Sequence, residues 1–319
     1  MNLAVEPVAA RRTIPDGVKE SRWTTADGAA VRRIDWPAPA GKAKGSILFL
    51  PGRGDFYEKY LETLGHWAAL GWQVTASDWR GQAGSGRLGT DAVTGHIDDF
   101  ATWTGDLAHL WHSWKAATPG PHVLAGHSMG GHLVLRAVAE SMVDPEGLIL
   151  SAPMLGFTSS VLPEAVMHLA AKAMKALGDP RRPAWKWSEK PGAVPAAREH
   201  LLTHDADRYS DELWWRDQRP ELVMGPGSWG WVERGYASMR FLGSPGVLER
   251  VAVPVLMLGT DTDKLVAWQA IAKAATRLPD CELLHFGFEA HHEVLRETDL
   301  VRNRALAACD AFLSRITAG

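Results

Sequence analysis

The sequence predicts an α/β protein: a mostly parallel central sheet with helices on both faces, interrupted by a helical insertion. Three observations predict it. Short apolar runs alternate with stretches of helical period and end at glycine or proline, the pattern of strands buried on both faces. That rhythm stops near Pro153 and resumes at Pro254, with roughly ninety residues of helical character between them. A Gly-x-Ser-x-Gly pentapeptide lies between a predicted strand and a predicted helix.

In chain order, residues 1–20 read as an N-terminal arm. They contain Glu6, Arg11, Arg12, Pro15 and Asp16 but no long apolar core, so neither a secretory signal nor a membrane span is expected there. Residues 21–36 read as a β-hairpin turning at Ala26-Asp27-Gly28. Strands are expected at 47–50, 72–76, 122–125, 148–151, 254–258 and 282–286. Helices are expected at 56–69, at 129–141 and at 300–316, with a long one carrying Phe100, Trp103, Leu107, Leu110 and Trp111 and closed by Pro119-Gly120-Pro121. Residues 21–153 and 250–319 thus form the core, and 154–249 a helical cap over the carboxyl edge of the sheet, where open α/β sheets bind ligands.

The whole-chain charge narrows the partners. With 34 Lys and Arg against 37 Asp and Glu, the net charge is −3, so no global field attracts nucleic acid or an anionic membrane. A small-molecule substrate is expected. Cys281 and Cys309 are too few for a disulfide scaffold and unclustered for zinc, and read as buried, reduced thiols in a soluble, cytoplasmic protein.

The chemistry centres on Gly126-His127-Ser128-Met129-Gly130. A strained strand-to-helix turn lifts the serine hydroxyl out of the sheet, and small neighbours are required because the backbone passes so closely. A serine hydroxyl needs a base to take its proton, and the imidazole needs a carboxylate to orient it. After the 254–258 strand come Asp261 and Asp263; after the 282–286 strand come His291 and His292. Spacing alone leaves both choices open. Oxyanion stabilisation calls for two backbone N–H groups, expected from Met129 and Arg53, with the Arg53 side chain read as an exposed turn arginine. The run His291-His292-Glu293 is not spaced for two metal ligands on one helical face, and no metal or organic cofactor is implied.

These residues, together with the segments LFLPGRGDFYEKY from Leu48, SDWRGQAGSGR from Ser77, GHSMGG from Gly126, LTHDADRY from Leu202, GTDTDKLV from Gly259 and AHHEVLRE from Ala290, resemble the monoacylglycerol lipase and lysophospholipase group of capped α/β-hydrolases, which are serine aminopeptidase-type hydrolases. The resemblance runs from about Ser21 to the final helix. It implies the α/β-hydrolase fold with Ser128 as nucleophile, Asp263 as acid and His292 as base. Asp263 matches the family's Asp-x-x-Val segment, and His292 the histidine followed by Glu, an aliphatic residue and Leu. The implied substrate is a monoacyl ester such as a monoglyceride, a lysophospholipid or a small ester. Amidases, lactonases and acyltransferases share such a triad, and a low-turnover ligand receptor on the same fold is a further class. Many relatives carry His-Gly where this chain has Pro51-Gly52. Asp78 and Arg80 match a strand-end motif expected to be structural.

Six tryptophans fall in the insertion: Trp185, Trp187, Trp214, Trp215, Trp229 and Trp231. They suit either an acyl pocket or the packing of cap on core, and most are expected to be packing residues. A helix over 162–177 places Val166, Leu169, Ala173 and Leu177 on one face; its apolar and basic positions fit a membrane-surface stripe and an ordinary helix with one buried and one solvated face equally well. Arg181-Arg182 beside Trp185-Lys186-Trp187 suggests transient contact with a membrane surface.

Overall fold

In the computed structural model, residues 8–39, 43–158, 163–186 and 196–318 are described. The helices are α1 (Val8–Arg11), α2 (Leu61–Ala69), α3 (Phe100–Ala117), α4 (Met129–Ala139), α5 (Glu164–Ala176), α6 (Ala196–Leu202), α7 (Ala206–Gln218), α8 (Trp229–Gly243), α9 (Trp268–Ala275) and α10 (Asp299–Ala318). The strands are β1 (Lys19–Thr24), β2 (Ala30–Trp36), β3 (Ser46–Leu50), β4 (Gln73–Ser77), β5 (His122–His127), β6 (Gly147–Ser151), β7 (Val255–Thr260) and β8 (Cys281–Phe286). They form one eight-stranded sheet in the order β1-β2-β4-β3-β5-β6-β7-β8. The β1–β2 and β2–β4 pairs are antiparallel and every other pair is parallel.

Alternation along the strands explains the layers. In β3, Ile47 and Phe49 join a core with Leu64 and Trp67 of α2 and Leu306 and Phe312 of α10. Leu48 and Leu50 point the other way, into a core with Trp103 and Trp111 of α3, Leu133 of α4 and Ile271 of α9. Both faces are therefore dry, which is why the central strands read as unbroken apolar runs. The excess of tryptophan is partly a core device: Trp67, Trp103, Trp111 and Trp114 are fully buried. Three of these find acceptors for their indole N–H, with Trp103 donating to Arg80 O, Trp111 to Asp144 and Trp114 to Thr75 Oγ1.

Three local readings gain detail in the structure. The helix read over 56–69 is a buried 3-10 turn, Tyr57–Tyr60, followed by α2. The arm is not loose where it is described: Arg11 and Arg12 both bond Asp211 of α7, at 2.5 and 2.6 Å. In the insertion helix α5 the apolar stripe is the outward face, with Val166 and Leu169 exposed at 45% and 68%, Ala173 also exposed, and Leu177, just past the helix end, at 77%. Its buried residues are His168 and Ala171. The reason lies in the partner helix α8, where Glu233 takes His168 and Lys175 and Tyr236 stacks on the His168 ring. A small and polar seam thus outcompetes the leucine stripe for the protein-facing side. Leu162 and Trp187 lie outside the described residues.

The packing of α4 against β3 gives a sharp stability test. A Cβ on Gly130 would lie 2.3 Å from the Leu50 carbonyl oxygen and 2.4 Å from that of Pro51, whereas one on Gly105, within α3, meets nothing within 4 Å. Gly130→Ala is expected to lose about 1–3 kcal/mol or more by overpacking, and Gly105→Ala to gain about 0.5–1 kcal/mol. Denaturant melts of the two variants check the contrast.

Candidate active site

At the end of β5 the chain turns sharply into α4, and Ser128 at the corner takes φ 51°, ψ −117°. A non-glycine residue at positive φ costs about 1–3 kcal/mol and persists only where its surroundings hold it. Here the Ser128 N–H donates to Ser151 O, and the Ser128 carbonyl accepts from His132 and Met154. Glycine is obligatory on either side, since a Cβ on Gly126 would come within 2.7 Å of the Gly130 backbone.

The loop after β7 settles which aspartate meets a histidine. Asp263, nearly buried, places Oδ2 2.6 Å from His292 Nδ1 while its Oδ1 accepts the N–H groups of Leu265 and Val266. Asp261 is half-exposed and sits 3.1 Å from His285 instead. Burial would lower the His292 pKa, but the Asp263 carboxylate outweighs it and the net shift is upward. Burial would raise the Asp263 pKa, and the His292 imidazole with the two N–H groups reverses that. With Nδ1 held by the carboxylate, Nε2 is the nitrogen left for proton transfer.

His291 turns away. Its ring stacks on His204 at 3.6 Å between centroids, and its backbone N–H donates to Glu297. The neighbouring Glu293 bonds Lys59. The run 291–293 therefore sends its three side chains to three different partners and does not converge on an ion. Among the described residues, His204, His291 and Glu297 form one group spaced to hold a metal, and Asp55, His127 and Glu293 another. In the second, the Lys59 ammonium already supplies the cation, 2.8 Å from Asp55 and 2.5 Å from Glu293.

The Pro51-Gly52-Arg53-Gly54 loop passes directly beside the elbow: a Cβ on Gly52 would lie 3.1 Å from Ser128 Cβ. The Arg53 backbone N–H and that of Met129, at the start of α4, are thus carried by two segments that meet at Ser128. The Arg53 side chain departs from expectation. Instead of facing solvent it is half-buried, its guanidinium 5.1 Å from the Trp185 ring and 5.0 Å from Trp231, and it donates to Gly225 O. Asp78 and Arg80 are scaffolding, as expected: Asp78, pushed up to about 8 by burial, accepts the Tyr57 N–H, and Arg80 ties Asp27 to Asp106 of α3.

Ser128, His292, Arg53 and His127 open on one cavity of about 550 Å³. Its apolar lining comes mostly from the insertion, through Met167, Trp185, Trp229, Trp231, Val232 and Tyr236, and its charged lining from Asp55, Lys59, Arg198 and Glu293. Of the five described insertion tryptophans, Trp185, Trp229 and Trp231 line the cavity, while Trp215 is buried with its N–H on Arg11 O and Trp214 packs edge-on against it. Sequence reasoning overlooked His127, which stacks edge-to-face on His292 at 4.8 Å and is pushed down to about 4 by burial, then by the His292 charge. It also overlooked Asp55 and Lys59, and took Glu293 only as part of the 291–293 run and of the motif after His292.

The profile of the serine aminopeptidase, S33 family matches residues 41–299. The chain is 29% identical over 296 residues to lysophospholipase L2 of Escherichia coli (strain K12), covering 84% of this chain and 80% of that one. It is 24% identical over 286 residues to the probable lysophospholipase L2 of Haemophilus influenzae, with 86% of each covered. Among solved structures, a soluble variant of monoglyceride lipase from Saccharomyces cerevisiae superposes with a TM-score of 0.74 at 19% identity, covering 96% of this chain and 97% of the other. A carboxyl esterase from Bacillus coagulans gives 0.72 at 17% identity, over 95% and 100%. These matches agree with the eight-stranded sheet and its serine elbow, and the chain belongs to the serine aminopeptidase, S33 family and carries the α/β-hydrolase fold.

Proposed function

We propose that the protein is a serine carboxylic-ester hydrolase acting on monoacyl lipids, such as a monoglyceride or a lysophospholipid, or on small esters. The observation that carries the reading is that His292, held by Asp263, lines the same cavity as the strained Ser128. The names of the lysophospholipase relatives support the lipid side of it, as does the aromatic lining of the cavity. In this reading the insertion, 154–249, is a cap over the core formed by 21–153 and 250–319.

Ser128 Oγ attacks the ester carbonyl carbon as His292 Nε2 takes the hydroxyl proton, and the carbonyl electron pair moves onto the oxygen. The N–H groups of Arg53 and Met129 hold that oxyanion. Collapse breaks the bond to the alkoxy group, which leaves as the alcohol with the proton from His292. Water then attacks the acyl-enzyme, giving its proton to His292, and Ser128 departs with that proton as the carboxylic acid is released. His127, neutral beside His292, adds no second charge there.

A lipid ester is met at a membrane surface, and the exposed Val166, Leu169 and Leu177 of α5, with Lys172 on the same helix and Trp185 nearby in sequence, support transient contact there. Among the described residues, no helix is long and apolar enough to cross a membrane.

Ser128→Ala is expected to lower hydrolysis of p-nitrophenyl acyl esters by about 10⁴-fold or more while leaving the fold intact. Retained activity would remove Ser128 from the mechanism. A protonated His292 cannot accept the serine proton, so kcat/KM is expected to rise with pH, its acid limb displaced above the usual imidazole range by Asp263. Asp263→Asn should move that limb to lower pH and cut kcat by about 10⁴-fold. A pH–rate profile of both proteins reads the sign.

A further inference from the structure

Lys59 is 1% exposed in its side chain, and the structure gives it no apolar explanation. An ammonium has three N–H donors, and three carboxylates surround this one: Asp55 Oδ1 at 2.8 Å, Glu212 Oε2 at 2.8 Å and Glu293 Oε1 at 2.5 Å. Each belongs to a different part of the molecule. Asp55 closes the loop that carries Arg53, Glu212 lies on α7 of the insertion, and Glu293 follows His292. The ammonium hydrogen-bonds Glu293 and ion-pairs with Asp55 and Glu212, so its charge is already matched by protein carboxylates although it borders the cavity.

We propose that Lys59 is a positioning residue that locks the Arg53 loop, the His292 loop and α7 into one geometry, so that the oxyanion donors are aligned only while the insertion is seated. The proposal rests on the Ser128 reading given above.

Two sets of contacts carry the lock to the reacting atoms. Asp55 Oδ2 accepts the Gly52 N–H at 3.2 Å and the Tyr60 hydroxyl at 2.6 Å, fixing the residue whose carbonyl forms the peptide bond to Arg53. On the far side of that peptide, the Arg53 side chain is held by Trp185, Trp231 and the Gly225 carbonyl, all from the insertion. On the histidine side, the Glu293 N–H donates to Leu202 O, and its carboxylate also bonds Arg296, which reaches Glu212 at 3.5 Å. Around the ammonium, Arg216 pairs with Glu212, Arg296 pairs with Glu293, and the Arg198 charge acts on Glu212 as well. Without Lys59, Asp55 would lose its ammonium partner while remaining buried near Glu293, and buried like charges move apart or take up a proton. Either response shifts the Gly52–Arg53 peptide.

The test is Lys59→Met beside Glu212→Gln, the second of which adds no atom to the cavity lining. Active sites are titrated with a fluorophosphonate, so that kcat is read per folded site. For Lys59→Met, kcat is expected to fall about 10²-fold, as about 1 Å of misplacement can cost, with KM changed less than about threefold. Affinity for an alkyl trifluoromethyl ketone, whose serine adduct places an oxyanion in the same hole, should weaken by the same factor as kcat/KM. Glu212→Gln should shift both quantities in the same direction by less, and the double variant should not exceed Lys59→Met alone.

Three results would overturn the proposal. One is fewer titratable sites with unchanged kcat per site and unchanged ketone affinity, which makes Lys59 purely structural. Another is a raised KM at constant kcat, which makes it a substrate contact. Should Lys59→Met fail to fold, Glu212→Gln carries the same comparison, and unchanged kcat and ketone affinity there would be the third. Failure of wild-type Ser128 to label with the fluorophosphonate would instead sink the Ser128 reading itself.

Discussion

The architecture hinges on the contact of Gly130 with the Leu50 and Pro51 carbonyl oxygens. Because no Cβ intervenes, α4 starts against the end of β3, and the two chain segments that flank Ser128 meet there. That contact does three things together. It helps hold Ser128 at positive φ, it starts α4 at Met129 directly after the serine, and it leaves Gly52 against the Ser128 Cβ. The parallel sheet delivers the remaining parts, since the loops after β7 and β8 leave from the same edge and carry Asp263 and His292.

The insertion contributes more than one wall of the cavity. Its tryptophans line the apolar wall of the cavity, and two of them clasp the Arg53 guanidinium. Through Glu212 it also reaches the ammonium of Lys59, which in turn touches the loops on either side of the reacting atoms. Charges this deeply buried are costly unless each is matched, and here each of the three carboxylates has a cationic partner. Such a network favours geometric uniqueness over raw stability. That is a sensible use of buried charge at a site whose rate depends on hydrogen bonds aimed to within a fraction of an ångström.

Much of this was legible before any coordinates. The β3, β5, β6 and β7 strands are apolar on both faces and so stand out as short runs, and the glycines of the elbow announce a turn that tolerates no side chains. The choice of Asp263 over Asp261 was not available from spacing, because both lie on one loop; family resemblance favoured it, and the hydrogen bond to His292 shows the geometric reason. The orientation of α5 stays open in the sequence because an apolar stripe marks amphipathicity without saying which face finds a partner; Glu233 and Tyr236 of α8 decide that, from far along the chain. Lys59 with Glu212 and Glu293, like Arg53 with Trp185 and Trp231, were invisible for a related reason. Lys59 and Arg53 each lie more than a hundred residues from these partners and the spacings follow no period, so only the fold reveals the pairing.

The most direct measurement is to mix the protein with a slowly deacylating ester, quench with acid and locate the adduct by peptide mass spectrometry. The account predicts a single acyl group on the peptide containing Ser128, appearing before the steady state and decaying at the rate of carboxylic acid release. An acyl group on another residue, or turnover with no adduct at any time, would contradict the acyl-enzyme at the centre of the account.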